Sequence, residues 1–520
     1  MNKIITIEQA KRIVEENRSN GLKTVNVHGC FDILHYGHVI YFEAAKKHGQ
    51  VLLVSLTPDR YVAKGPNRPF VDENARLKYV SSLEIVDFVV LNDEPDAVNF
   101  LKTVAPDVTA RGSEYLNFKD DITGKIELEK KAIEDVGGRM VFTDGEIYSS
   151  TKMINSWGAG LNNNQIAYRD SIRKTISTSD ISRDIDQLQH LSVLVIGDAI
   201  IDEYTYCSCL GTVSKHSAIS ALQHDTELMS GGILAIKKHI SKLSNCSDLM
   251  SIIGGKNLTE CLNVNSHELK IDELHLDPLT YTPHKRRFIS TGYSNSISKM
   301  LNSNNDVDTS NRLFEISFLP TDGFSKEIKS KFTSEIEKRI KNYDIVVVAD
   351  FGHGLIDKDL ACLICENANY LALNVQTNSA NFGFNLFTKF PSTDFLCIDE
   401  LELRLAFSDR ETDLYSLMNK ASQTLQCSKV MVTRGRNGIE YLIDGNIKSV
   451  PALANIVADP VGAGDAVLSV TSLVSYNDNE GDLTLFSGSI AGMIGTSIRG
   501  NSSSIQKDQL IKNMKGFVQI

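Results

Sequence analysis

The stretch from Val25 to His38, VNVHGCFDILHYGH, leaves the chain few choices of fold. Val25 and Val27 alternate with polar residues as in a strand, and Gly29 breaks it. From Gly37 to His48 the pattern predicts a helix, with Gly49 as its stop. His35 and His38 then stand at a helix N-terminus, where backbone N–H groups and the positive end of the dipole attract phosphate. Gly37 removes a Cβ there, and two imidazoles can donate hydrogen bonds to a phosphoryl group gaining charge.

The pattern then repeats. VLLVSLTP, from Val51 to Pro58, is the continuous apolar run expected of a buried parallel strand. A helix is predicted over 73–83, a strand over 86–92, a helix over 96–104, a strand over 107–112, a helix over 125–136, and a strand ending at Asp144. This βαβαβαβ order predicts a doubly wound, Rossmann-like parallel sheet, with ligands gathering at the C-terminal ends of its strands, where the Gly29–His38 turn lies.

At 520 residues the chain exceeds one ordinary core, so two or three domains are expected. A net charge of -11 argues against a nucleic-acid surface, while leaving room for a local basic pocket. No apolar run reaches the roughly 18 residues of a membrane span. The N-terminal MNKIITIEQAKRIVEENRSNG reads as a polar amphipathic helix, not a signal peptide, so a cytoplasmic protein is expected. Nine cysteines, an odd count in so long a chain, do not form a disulfide framework. Cys362 and Cys365 make a CxxC on a predicted helix, without the second pair a zinc site needs.

GCFDILHYGH resembles the nucleotidyltransferase superfamily that includes glycerol-3-phosphate cytidylyltransferase and the heptose-1-phosphate adenylyltransferases. The resemblance implies catalytic roles for His35 and His38, with Gly29, Cys30, Phe31, Asp32 and Gly37 around the nucleotide. Lys64, in AKGPNRPF, and Arg76 resemble the basic residues that this superfamily brings to the triphosphate and the sugar phosphate. Arg111, Gly112 and Tyr115 occupy the place of the family's Lys-Gly-Gly-Asp-Tyr stretch. In YSSTKMIN, Ser150 and Thr151 would offer hydroxyls and helix-start N–H groups to the β- and γ-phosphates; the same residues would also serve an ordinary N-cap.

Past residue 156 the character changes. GAGLNNNQ is polar and turn-rich and leads into a charged helical stretch, so 157–190 reads as a linker and connecting helix between domains spanning 1–156 and 191–520. From Val193 the alternation resumes with VLVIGDAIIDEY and ends in VADPVGAGDAVLS. There Gly462, Ala463 and Gly464 open a helix whose N–H groups could neutralise a transferring phosphoryl group. Asp465, in the first turn, can accept the proton of an attacking hydroxyl.

This half resembles the ribokinase-like sugar kinases, a doubly wound α/β fold with a small β lid. The resemblance implies that Asp465 is the base, Gly462–Gly464 the anion hole, Asp202 a ligand of sugar hydroxyls, and Gly231 and Gly232 the wall of the sugar site, with Asp198 and Asp350 also at the substrate. Asp399 and Glu402 stand where the family has an Asn-x-x-Glu motif that organises Mg²⁺ through water; without the resemblance they read as a solvated helix start. Arg434, Gly435 and Gly438 would lie near ATP. Lys285 and Arg287 match basic residues presented to a sugar phosphate, or else form a charged strand face. Three departures stand out: Ala235 where an Asn is usual, Asp399 in the Asn-x-x-Glu position, and NVQTNSANFGFN in place of an Asp-Pro-Lys-type segment.

Together the halves resemble the bifunctional heptose-7-phosphate kinase/heptose-1-phosphate adenylyltransferases of lipopolysaccharide biosynthesis, with an order expected to be reversed, transferase before kinase. The resemblance implies Mg²⁺, ATP (or CTP for the transferase), sugar phosphate substrates, an NDP-sugar product and a homo-oligomer, with neither nucleic acid nor membrane as partner. The alternative is an active transferase whose kinase half only binds sugar or acts as a scaffold.

Overall fold

The computed structural model describes residues 3–62, 69–112, 125–143, 161–213, 218–265, 274–290, 312–454 and 457–519. The chain divides into two compact units, Met1–Leu161 (with the last two residues) and Asn162–Val518.

In the first unit five parallel strands, β1 (Thr24–Gly29), β2 (Val51–Leu56), β3 (Phe88–Leu91), β4 (Val108–Gly112) and β5 (Arg139–Thr143), lie in the order β3-β2-β1-β4-β5. Between and around them run α1 (Ile7–Ser19), α2 (Tyr36–Lys46), α3 (Glu73–Ser81), α4 (Val98–Val104) and α5 (Lys125–Asp135). Helices cover both faces. Val25, Val27, Leu52 and Val54 pack with Phe42 on one side, while Leu53 and Val90 meet Val14, Phe100 and Ile133 on the other. That double burial is why these strands are apolar along their whole length rather than alternating. The strand order reverses direction at β1, so the crevice at its C-terminal end falls where Gly29 leads into the turn before α2.

The second unit opens with α6 (Asn163–Ile172) and α7 (Thr178–Gln187). The stretch read as a connector is thus two helices, each started by a capping box, at Asn162 and Ser177. They are part of this unit's packing: Gln165 donates to the Ala452 carbonyl at 2.8 Å, Arg173 donates to that of Val518 at 2.6 Å, and the Tyr168 ring meets Phe486 and Phe517.

Then follow β6 (Ser192–Gly197), β7 (Ala199–Thr212), β8 (Ile219–Gly232), α8 (Ile233–Ile240), β9 (Cys246–Gly254), α9 (Leu258–Asn265), β10 (Leu274–Asp277), β11 (His284–Ser290) and β12 (Arg312–Phe318). After α10 (Lys326–Arg339) come β13 (Ile345–Asp350), α11 (Lys358–Asn367), β14 (Leu371–Val375), β15 (Phe395–Asp399), α12 (Glu400–Phe407), α13 (Leu414–Thr424) and β16 (Lys429–Thr433). The hairpin β17 (Ile439–Ile443) and β18 (Asn446–Val450) leads to α14 (Ala463–Asn477), α15 (Asp482–Ser497) and α16 (Lys507–Gln519).

Nine of these strands form one sheet, β10-β9-β6-β13-β14-β15-β16-β17-β18, parallel except for its last hairpin. The remaining four, in the order β12-β11-β7-β8, form a separate sheet that serves as the lid. Asp198 alone separates β6 from β7, so one continuous run of chain passes from the large sheet into the lid. Among the described residues no helix is long and apolar enough to cross a membrane.

Candidate active sites

At the first site, His35 is the N-cap of α2, and its Nδ1 accepts the Gly37 N–H at 3.1 Å. His38, three residues on, returns the contact: its Nδ1 accepts the His35 N–H at 3.4 Å. The two rings stack with centroids 3.9 Å apart, and the Phe31 ring stands edge-on to His38 at 5.3 Å. In a neutral imidazole only one nitrogen accepts. In the neutral form these capping contacts select the tautomer with the proton on Nε2. Phe31 reaches its position with φ of 48°, in the left-handed region that non-glycine residues seldom occupy. Asp32, 1 % exposed, accepts the N–H groups of Phe70 and Val71 at 2.7 and 3.0 Å and so fastens the returning loop to the turn.

Arg76 takes a different place from that expected. Its side chain is fully buried, and the guanidinium donates to the carbonyls of Val71, Cys30 and Thr57 and to the Asp59 carboxylate. With Cys30 Sγ also 4.0 Å from Nη1, all five donors are taken up within the turn and the loop that follows it, so Arg76 braces the turn through the Cys30 carbonyl. Arg111 is likewise paired, with Glu129 and the His28 carbonyl. Lys64, Tyr115, Ser150 and Thr151 lie outside the described residues.

The second unit holds a cavity of about 780 Å³ between the large sheet and the lid. Asp202 from β7, Gly232 at the end of β8, and Lys285 and Arg287 from β11 line it from the lid side. Asp399, Glu402, Gly435, Gly438 and the turn from Gly462 to Asp465 line it from the other. Gly462 caps α14 with φ of 83°, and no side chain caps this helix. The cap position is closed to other residues: a Cβ there would lie 2.1 Å from Asn501 Oδ1.

Asp465 is 8 % exposed, and Gln376 donates to its Oδ1 at 3.2 Å. Burial, with the charge of Asp202 added, pushes the Asp465 carboxyl up to about 7, against the pull of Gln376 and Lys285. Glu402 accepts the N–H groups of Thr377 and Asp399 at 3.0 and 3.2 Å. Burial nevertheless pushes its carboxyl up to about 8, with Asp399 and Asp465 adding to the effect. Asp399 is the N-cap of α12, its carboxylate accepting the Leu401 N–H at 2.9 Å.

Four expected residues lie outside this cavity's lining. Asp198 accepts the Phe351 N–H at 2.9 Å, and Asp350 pairs with Lys389 and accepts the Gly352 N–H at 2.9 Å. Both are buried, and burial together with Asp350 pushes Asp198 up to about 7. They hold the ends of β6 and β13 together. Arg434 is paired with Glu400 and Glu440. Gly231 backs onto Asp202, where a Cβ would come within 2.2 Å of Oδ2. Arg287 does line the cavity, but it is already paired with Asp202 and Glu315, leaving Lys285 as the less committed cation. Gln376 and Asn501 were not singled out from sequence. Gln376 follows β14 in a segment that departs from the family pattern, and Asn501 is brought to the turn from the far side of α15.

The cytidylyltransferase-like profile matches residues 27–183 and the pfkB family carbohydrate kinase profile residues 191–473. Both families use nucleotides, usually with a divalent metal ion. Among curated relatives, the "Bifunctional protein HldE" of Gluconobacter oxydans is 37% identical over 154 residues, covering 29% of this chain and 31% of the relative. That of Campylobacter fetus is 39% identical over 156 residues, with coverage of 29% and 31%. The matches thus span under a third of the length of these relatives and lie in the N-terminal part of this chain. The cytidylyltransferase-like domain comes first and the kinase domain second, and, contrary to the expectation from sequence, this order is not a reversed one. Among solved structures, Arabidopsis thaliana ribokinase complexed with ribose and ATP aligns at 15% identity and a TM-score of 0.47, covering 63% of this chain and 99% of that one. Because the kinase profile alone takes in more than half of the sequence, from β6 through the lid to the first turns of α14, the chain belongs to the pfkB family of carbohydrate kinases.

Proposed function

We propose that the chain is a bifunctional transferase. Its second unit phosphorylates a sugar or sugar phosphate with ATP, and its first joins a sugar 1-phosphate to a nucleotide with release of pyrophosphate. The product is an NDP-sugar of the ADP-heptose type, for a surface glycan. The observation that carries the kinase half is Asp465, a buried carboxylate beside an uncapped glycine turn, in the same cavity as Asp202 and Lys285. Ionised, Asp465 takes the proton of the acceptor hydroxyl while Gln376 steadies its other oxygen. The N–H groups at Gly462–Gly464 take up charge on the transferring group. In the first unit, His35 and His38 donate from Nε2 to the phosphoryl group under attack.

Mg²⁺ fits the second cavity by its donor chemistry. Asp399 and Asp465 both raise the proton affinity of Glu402, so carboxylate oxygens gather on this side of the cavity, and hard oxygens suit a divalent ion; among the described residues no group of three such side chains is close enough to hold a metal directly. Asp399 and Glu402 would hold it through water. Bound there, it would neutralise phosphate charge.

Ala235, the departure that would favour a binding-only second unit, is 1 % exposed within α8 and outside the cavity lining. That leaves the cavity's own residues in place for catalysis. A homo-oligomer remains part of the proposal and is tested by sizing the intact chain. The functional test incubates the full chain with Mg²⁺, ATP or CTP, and a panel of sugars and sugar phosphates, with products read by mass spectrometry. ATP-dependent phosphorylation and a nucleotide-sugar are expected, and the nucleotide in the product distinguishes ATP from CTP. If neither product forms with any acceptor, the proposal fails.

A further inference from the structure

Asp459 opens the motif that ends in Asp465, yet it does not line the cavity. It is fully buried, and its carboxylate collects four donors from four places. Tyr204 Oη, on β7, donates to Oδ2 at 2.7 Å, and the Gly500 N–H to the same oxygen at 3.0 Å. Arg312 Nη2, on β12, donates to Oδ1 at 2.9 Å, and the Val461 N–H at 3.0 Å. Two of these donors belong to the lid, one to the turn and one to the loop after α15. A neighbouring set repeats the connection: Arg499 donates to both oxygens of Glu227, on β8, at 2.8 and 2.9 Å, and Tyr206 on β7 donates to Glu227 at 2.7 Å.

The placement has an electrostatic consequence. Asp459 lies three residues before Gly462, beside N–H groups that must receive a phosphoryl group. Arg312 is the cation paired with it, and Arg312 belongs to the strand at the lid's edge. With the lid seated, the carboxylate is neutralised and its oxygens are filled. If the lid lifts, Arg312 and Tyr204 leave, and a buried negative charge remains next to the anion-binding turn.

We propose that Asp459 is a positioning residue that couples seating of the lid to the readiness of the Gly462–Gly464 turn for phosphate. The inference rests on the kinase reading of this cavity, but its test does not require turnover. Tyr204→Phe and Arg312→Met break the contact from the lid side and touch neither the turn nor Asp465. In the full chain, amide hydrogen exchange of β7, β8, β11 and β12 is measured with and without a non-hydrolysable ATP analogue, together with the affinity for that analogue. Arg312→Met is expected to speed exchange in the lid strands and to weaken the analogue by about tenfold, within the usual range of site-to-site coupling. Tyr204→Phe, which keeps shape and burial, gives the same changes at smaller size. In any acceptor assay, KM for ATP rises more than kcat falls. If both variants keep wild-type lid exchange and analogue affinity while Asp459→Asn alone weakens the analogue, Asp459 braces only its own loop and the proposal is overturned. An inactive wild type would defeat the kinase reading and leave the exchange result to decide the coupling.

Discussion

The two units each present a helix N-terminus to a candidate phosphate site, and they prepare it in opposite ways. At α2 the cap is a histidine, and the helix N–H groups are partly taken by imidazole nitrogens. Side chains then supply the donors, through Nε2 protons that the cap contacts orient. At α14 the cap is a glycine without a side chain, so the backbone N–H groups supply the donors, and the one functional side chain in the first turn is an acid. A helix end can thus stabilise charge either by orienting donor side chains or by leaving its own backbone exposed. A residue that is right for one strategy is wrong for the other.

The sharpest way to break the comparison is at Asp465. Asp465→Asn should lower phosphoryl transfer by roughly 10²–10⁴, the range for a lost general base, with acceptor affinity little changed. The amide still fits beside Gln376 and leaves the turn intact, so steady-state kinetics should show the loss in kcat. Because the ionised form is needed and burial holds the carboxyl at about 7, wild-type kcat/KM should fall as pH drops through that value. A flat profile between pH 6 and about 8 would remove Asp465 from the role of base.

His38→Ala is the matching change at α2. It should cost roughly 10²–10³ in nucleotidyl transfer, as for loss of one transition-state donor, while any kinase activity stays at the wild-type level. Near-normal transfer would mean that the stacked pair is a helix cap and nothing more. Loss of the His38 side of the capping box, with the His35 cap kept, should by itself cost stability of no more than about 1 kcal/mol, which denaturation of the variant would register separately.

Arg76→Ala should act on stability instead. Removing a buried guanidinium that serves three carbonyls and a carboxylate should destabilise the first unit by about 3 kcal/mol. Nucleotide affinity of the folded fraction should be retained, because the residue reaches no ligand. Wild-type stability with weakened nucleotide binding would restore the phosphate-binding role first expected for it.

Arg76 also shows where sequence reading stops. Its charge and spacing are legible, but the acceptors that consume its donors come from Cys30, Thr57, Asp59 and Val71, which only the fold assembles. The same holds for Asp198 and Asp350, whose bonds between two strand ends no local pattern announces. Features built from neighbouring residues are legible. The parallel strands of the first unit follow from their uninterrupted apolar runs, because a strand buried on both faces has no polar side to show. The histidine pair and the Gly462–Asp465 turn are contiguous, so their geometry is written into a few residues. Gln376 meets its partner Asp465 across 89 residues of sequence, and Asp459 meets Tyr204 across 255, so no local pattern marks either. Asn501 likewise reaches Gly462 only through the packing of α15 beside α14.

The smallest predicted effect concerns what the acid at α14 costs the fold. In the unfolded chain Asp465 should titrate as an ordinary carboxyl, near about 3.9. In the folded unit it is raised to about 7, by burial first and Asp202 second. A raised carboxyl binds its proton more tightly when folded. Its contribution to stability is therefore fully present below the unfolded value and is lost as pH rises through the folded one. Asp465→Asn cannot ionise, so it escapes that loss. Its thermal unfolding midpoint should match the wild type only below about pH 4, draw ahead as pH rises, and exceed it by roughly 2–4 °C at pH 8. Asp198 carries a shift of the same sign that does not depend on Asp465 and cancels in the difference, whereas Glu402 is raised in part by Asp465, so the difference between the two proteins reports Asp465 together with its effect on Glu402. An equal gap at both pH values would mean that packing, not charge, separates them. A gap that opens with pH would show the second unit giving up stability to keep an ionised base where the first unit relies on imidazole donors.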